Sequence, residues 1–333
     1  MVHRRADEGE GPARGGPGDG VDTACRIVQP SFPSLRRILR ADDGQFAHPA
    51  ERDFARLLRY YRIRWAYEPT SFALDWADDG RANAFFTPDF YLPDHDLYVE
   101  LTTMRQPLVT RKHRKLRRLR ELYPNVRVKL LYRRDVLRLQ ASYPALRRPA
   151  GIERLGPALI AAGDVERRVH ALGERIADEW LGSRLGQKPP VLLAVGPGSV
   201  RLQALLAREL SQLGMSAEMD RIDLTRCRAA DGITSVRTAR GAARPLRHRP
   251  VLVVSDVVST GLSLGFLSGW LARHGADDWR ACALLDRTGA RVIDVPVAYA
   301  AFEAPDDLLV GYGLTLRRQY RDLPYVARLV RET

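Results

Sequence analysis

Cysteine is scarce in this chain: Cys25, Cys227 and Cys282 are its only three. An odd number of widely spaced cysteines fits neither a disulfide framework nor a zinc cluster. No apolar run approaches the roughly 18 residues of a membrane span, and the N-terminus lacks the apolar stretch of a signal peptide. A cytoplasmic protein with no membrane contact is expected. There is no internal repeat. Neither GxxxxGK[ST] nor GxGxxG occurs, which argues against kinase-type and dinucleotide-binding loops. Acids are also under-represented, with 40 Asp and Glu against 53 Lys and Arg, for a net charge of +13. Such a field draws polyanions such as nucleic acid, nucleotides and pyrophosphate. A coding sequence rich in Arg and Ala would produce the same excess with no partner at all.

At 333 residues the chain is long enough for two domains with separate cores. Residues 1–26, rich in Gly, Pro and charge, read as a disordered tail. Residues 27–140 read as one α/β domain. Phe54, Leu57, Leu58 and Tyr61 fall at helical spacing, followed by the strand-like SFALDW, FFTPDFYL and DLYVELTT. A basic helix over about 107–122 and the strand VRVKLLY complete the order helix, three strands, helix, strand. Residues 141–157, with three prolines, read as a linker. From 158 to 333 helices and strands alternate, which argues a doubly wound, mostly parallel sheet. Residues 225–248, rich in Arg, Gly and Ala, read as a mobile lid over a ligand site.

In such a sheet, ligands bind beyond the carboxyl ends of the strands. Two strand ends stand out. One is Gly196-Pro197-Gly198-Ser199 after PVLLAV; the other is the SDVVSTGLS loop of VLVVSDVVSTGLSLGFL at 251–267. The second delivers hydroxyls and backbone N–H groups to a helix start, a good cradle for phosphate. Its single acid is Asp256.

This loop, with LLDRT at 284–288 and DVPVAYAAFEAPDDLLVGYGLTLRRQYRDLPYVARL at 294–329, resembles the type I phosphoribosyltransferases, hypoxanthine–guanine branch. The resemblance implies that phosphoribosyl pyrophosphate (PRPP) is the substrate or ligand, with Mg²⁺. Ser259, Thr260, Gly261, Leu262 and Ser263 would cradle its 5′-phosphate, and Asp256 its ribose hydroxyls. Gly196 to Ser199 would form the pyrophosphate loop, where a cis Gly196–Pro197 bond would reach the family's strained shape. Arg287 would donate to a 6-oxopurine, and Leu308, Leu309 and Thr315 would line the base and metal end. Several positions depart from the family pattern: Arg287 stands for its purine-contacting lysine, and Gly196-Pro197 for the Leu-Lys of most relatives. Ser255 replaces an acid, Ser259 the acid that serves as base near the purine, Thr315 a Mg-associated Asp, and Leu308 a stacking aromatic residue. Tyr312 reads equally as core or site.

In the N-terminal half, Asp89 and Glu100 lie on neighbouring strand candidates, and two such carboxylates hold a hard divalent cation. The Pro88-Asp89 pair and its spacing to Glu100 resemble the PD-(D/E)xK nucleases, so a restriction-endonuclease-like α/β fold is expected here. The resemblance implies Mg²⁺ on Asp89 and Glu100 and an additional acid at Glu51. Thr102 stands where the family has its lysine, which Lys112 or Lys115 on the next helix could replace. Gln106 is a further candidate, and His48 reads as a helix-start residue. RKHRKLRRLR at 111–120 holds seven Lys or Arg in ten, so contact with DNA or RNA phosphates is plausible.

Two functions follow. One is a purine phosphoribosyltransferase, its catalysis weakened at Ser259 and Thr315. The other is a nucleotide-sensing regulator of a metal-dependent nuclease. A scaffold with both sites degenerate is a third possibility. The resemblance also implies a homo-oligomer.

Overall fold

The computed structural model describes residues 46–102, 106–132, 135, 153–181, 188–228, 234–276, 278–305, 307–315 and 319–331. They belong to one compact unit. The tail at 1–26 and most of the expected linker lie outside them.

Helix α1 (Pro49–Tyr60) opens the described chain, its start set by a capping box between His48 and Glu51 with Pro49 at the first position. His48 is thus the helix-start residue expected. Strands β1 (Ala66–Tyr67), β4 (Phe90–Leu92), β5 (Leu97–Thr102) and β6 (Val128–Tyr132) form a sheet in the order β1-β4-β5-β6. The β4–β5 pair is antiparallel and the β5–β6 pair parallel. Helix α2 (Gln106–Leu122) makes the crossover between β5 and β6. FFTPDFYL is two strands rather than one: β3 (Ala82–Phe86) turns back on β2 (Phe72–Trp76) as a separate hairpin. The break falls at Thr87-Pro88-Asp89, where proline has no N–H to give a ladder.

The larger sheet has the order β10-β9-β8-β11-β12-β13. Its strands are β8 (Val191–Val195), β9 (Glu218–Arg228), β10 (Thr234–Arg240), β11 (Val251–Val258), β12 (Trp279–Asp286) and β13 (Tyr299–Glu303). All pairs are parallel except β9–β10. Buried apolar runs such as Val251 to Val254 are what a sheet covered on both faces requires. Helices α3 (Ala162–Leu181) and α4 (Val200–Gln212) pack on one face through Val169, Ile176, Leu206 and Leu210. Helix α5 (Leu262–Arg273) packs on the other.

Two sequence expectations change. Residues 153–157 are not linker but the start of β7 (Glu153–Ile160), which pairs with β15 (Val326–Arg331) beside β14 (Leu309–Val310). The pairing supplies hydrogen bonds that local composition does not reveal. Within residues 225–248, the expected lid, Thr225 to Arg228 extend β9 and β10 pairs back on it, while 229–233 lie outside the described residues.

The face that carries α5 also receives the N-terminal half. Phe54, Leu57 and Leu58 of α1 share a buried cluster with Val191, Leu193, Val251, Val253, Leu262 and Leu267. Among the described residues no helix is long and apolar enough to cross a membrane.

Candidate functional site

The β11–α5 junction builds a cavity of about 150 Å³ lined by Ser255, Val257 to Leu264, Val195 and Leu267. Leu57 and Tyr61, from α1 and its end, complete the wall. Gly261 caps the N-terminus of α5 at φ +80°, and a Cβ there would meet Ile293 O at 2.4 Å. Only glycine takes this position without strain. Thr260 Oγ1 accepts from Leu262 N–H at 3.3 Å, and Thr260 O accepts from Val292 N–H at 2.8 Å. The loop is therefore held open toward the cavity with backbone N–H groups at a helix start.

Arg291 is the residue that sequence reasoning missed. It is 7% exposed, forms a buried ion pair with Asp286, and donates to Ser259 O at 2.7 Å. The pair braces the loop from behind. Nothing in the local sequence marks Arg291 out from the many other arginines; the nearest signal is its position five residues after Asp286, the last residue of β12.

Asp256 and the Gly196–Ser199 turn are brought together. Ser199 Oγ donates to Val195 O at 2.8 Å and accepts from Asp256 N–H at 2.9 Å. Asp256 Oδ1 accepts from Val257 N–H at 2.8 Å. Burial pushes the Asp256 carboxyl above its usual range, against the pull of backbone N–H groups, Ser199 and the Arg321 charge. A Cβ on Gly198 would lie 2.1 Å from Asp256 Oδ2, so the turn and the acid are in close approach. No described peptide bond is cis, so Gly196–Pro197 is trans; the turn takes its shape from Gly196 at φ +74°.

The Gly311-Tyr312-Gly313-Leu314 turn closes over this pair. A Cβ at Gly313 (φ +96°) would meet Gly198 O at 2.1 Å, and one at Gly311 (φ +92°) would meet Tyr325 O at 2.1 Å. Tyr312 is core, 5% exposed and with the Arg201 guanidinium 4.4 Å from its ring centroid. Arg287 donates to Asp307 O at 2.6 Å, tying it to the segment that bears Leu308. Leu308 is 38% exposed, whereas Leu309 is buried in β14. Thr315 is exposed, and its hydroxyl donates to Gln319 O at 2.9 Å.

The N-terminal carboxylates form a second cluster. Leu101 N–H donates to Asp89 Oδ2 at 2.6 Å, and Asp89 N–H donates to Glu100 Oε2 at 3.3 Å. Lys112 forms an ion pair with Glu100 and donates to Leu101 O at 2.9 Å. Burial, then the Glu100 charge, push Asp89 up to about 7. Burial also raises Glu100, against the Lys112 ion pair.

Two expected members make their hydrogen bonds elsewhere, although the Glu51 charge still raises both Asp89 and Glu100. Glu51 accepts from Tyr67 Oη at 2.7 Å and from His48 N–H at 3.2 Å, because its place at the third position of α1 commits it to capping. Lys115 donates to Phe85 O at 2.9 Å, on the β2–β3 hairpin. The side chain of Gln106 is outside the described residues. Among the described residues, no three His, Cys, Asp or Glu side chains gather as a metal site. The basic helix is less free than its composition implies. It buries Leu116 and Leu119, and Arg118 donates to Leu74 O at 3.2 Å. Arg114, Arg117 and Arg120 remain on its solvent side.

Comparison with known proteins follows the C-terminal geometry. The phosphoribosyl transferase domain family matches residues 164–308. The hypoxanthine-guanine phosphoribosyltransferase of Mycobacterium bovis is 33% identical over 173 residues, 51% of this chain and 84% of that protein. The hypoxanthine phosphoribosyltransferase of Salmonella typhimurium is 29% identical over 175 residues, 52% of this chain and 94% of that protein. A hypoxanthine-guanine phosphoribosyltransferase crystal structure from Bacillus anthracis is 26% identical with a TM-score of 0.47, covering 54% of this chain and 100% of that one.

Proposed function

The chain belongs to the phosphoribosyl transferase family, and from that premise we propose that it transfers the phosphoribosyl group of PRPP to a 6-oxopurine, releasing pyrophosphate. The observation that carries this is the joining of three loops from distant parts of the chain. The Gly196–Ser199 and Gly311–Leu314 turns meet beside Asp256, and the strand that bears Asp256 leads into the Ser259–Ser263 cradle. In this reading the cradle N–H groups and the Thr260 and Ser263 hydroxyls bind the 5′-phosphate. Asp256 holds the ribose hydroxyls and offsets the positive charge that develops on the sugar. Arg287, tied to Asp307, directs a cation to the purine 6-oxo group.

The donor set fits Mg²⁺ only as a passenger on pyrophosphate, because Asp256 is the one carboxylate at the loop and Mg²⁺ is commonly held by one or two carboxylates plus substrate phosphates. Bound so, the ion would neutralise charge on the leaving group. Purified protein with PRPP, hypoxanthine or guanine, and Mg²⁺ should form the nucleoside monophosphate and release pyrophosphate. Absence of both products would refute the assignment.

A nuclease role for the N-terminal half has one observation in its favour, the meeting of Asp89, Glu100 and Lys112 across β5 and α2. Asp89 and Glu100 would hold Mg²⁺, which supplies Lewis-acid help at a phosphodiester. The Lys112 ammonium already neutralises Glu100, and family membership supports the transferase role alone. Metal-dependent cutting of DNA or RNA that is lost in Glu100→Ala would support the nuclease role; no cutting would remove it.

A further inference from the structure

Tyr61 follows α1 and stands in the wall of the phosphate cradle, although about two hundred residues separate it from that loop in sequence. It shares that wall with Ser263, whose hydroxyl is near enough to act on the phenol. The ring packs edge-on against Tyr60, with centroids 4.9 Å apart. Leu57, one turn earlier, lines the same cavity, and both Leu57 and Leu58 are buried in the cluster that holds Leu262 and Leu267 of α5. Ile63 and His95 lie against Gly265 of α5, 3.5 and 3.7 Å from where a Cβ would stand. Arg62 donates to Ser235 Oγ of β10 at 3.4 Å. The end of α1 is therefore fastened on several sides, and the phenol is carried to a fixed place over the cradle.

We propose that Tyr61 is a phosphate-binding residue of the transferase site, so that the N-terminal half supplies one wall and one donor of the pocket for the 5′-phosphate of a phosphoribosyl ligand. This rests on the transferase reading. The phenol and the Ser263 side chain line the same cavity. When a phosphate enters, both O–H groups can turn toward its oxygens, since each hydroxyl is donor and acceptor. Burial holds the Tyr61 phenol above the ordinary tyrosine range, so it keeps its proton at neutral pH and remains a donor. Donation to an anion is worth more than donation to a neutral group, so the phosphate is the stronger partner for both hydroxyls.

The test is calorimetric titration of the full chain with inosine 5′-monophosphate, comparing the natural protein with Tyr61→Phe, Tyr61→Leu and Ser263→Ala. Tyr61→Phe removes one oxygen and keeps the ring, so the unliganded melting temperature should stay close to that of the natural protein. Affinity should fall about ten- to a hundredfold, the loss expected for one hydrogen bond to a charged group. Tyr61→Leu should weaken binding at least as much, which provides a second measurement if the phenylalanine variant folds poorly. Unchanged or tighter binding in Tyr61→Phe, with Ser263→Ala weakened, would overturn this proposal and leave the transferase reading standing. Tighter binding would mean that the hydroxyl competes with the phosphate for Ser263. If the natural protein binds neither inosine monophosphate nor PRPP, the transferase reading fails and this proposal fails with it.

Discussion

Ser259 stands where the resembled family places an acid near the purine, and its carbonyl is occupied by Arg291. General-base help typically contributes about 10²–10⁴-fold, so its absence slows a transferase without abolishing turnover. Ser259→Asp should raise turnover of hypoxanthine on the order of 10²-fold, measured as pyrophosphate release at saturating PRPP. Arg291 itself has a different role. Removing one partner of a buried ion pair leaves the other charge uncompensated and costs about 3–5 kcal/mol. Arg291→Met should therefore lower the denaturant midpoint markedly. A change within about 0.5 kcal/mol, the range of ordinary surface substitutions, would show that the Asp286–Arg291 pair is not structural.

At the scale of elements, the Gly311–Leu314 turn meets the Gly196–Ser199 turn backbone to backbone. Gly313→Ala would place a methyl group 2.1 Å from Gly198 O at a φ of +96°, so one of the two turns must move. The expected result is a loss of PRPP affinity larger than the loss of stability, read by titration alongside thermal melting. The β4–β5 pair makes a pH prediction. Asp89 is held near 7 in the folded chain against about 3.9 unfolded. Between those values the folded state binds more protons, so this group's contribution to stability is complete below the unfolded value and declines as pH rises through about 7. Asp89→Asn removes the titration. Its melting temperature should gain on that of the natural protein between about pH 5 and about pH 8.

For the whole molecule, the described residues share one compact unit because α1 lays Phe54, Leu57 and Leu58 on the α5 face of the large sheet. Charge contributes little to that docking. Arg127 and Asp294 pair at 2.8 Å, but their side chains are 51% and 57% exposed. Such pairs contribute about 0–1 kcal/mol, so Arg127→Ala should shift the unfolding free energy by less than about 1 kcal/mol. Ligand effects should cross between the halves instead. Amide exchange in residues 54–62 should slow when inosine monophosphate binds, and exchange that is identical with and without ligand would show the halves to be uncoupled.

The sequence by itself determined the doubly wound sheet, because buried parallel strands and amphipathic helices write their periodicity locally. It also determined the turn between β11 and α5, because a tight strand-to-helix turn at positive φ needs Gly261 in place. Asp89 and Glu100 are legible as carboxylates of neighbouring strands, but only the placement of the crossover helix chose Lys112 over Lys115 as their partner. Tertiary structure alone decided which charges are used and by whom. Glu51 and Lys115 match the candidate pattern in sequence but are taken by Tyr67, the α1 cap and Phe85 O. Conversely, Arg291 carries no local mark, and tertiary structure alone pairs it with Asp286 and brings Tyr61 to the cavity wall. Periodicity records which face of an element is buried. It does not record which distant element covers that face, and part of the wall of the β11–α5 cavity is made by such a distant element, α1.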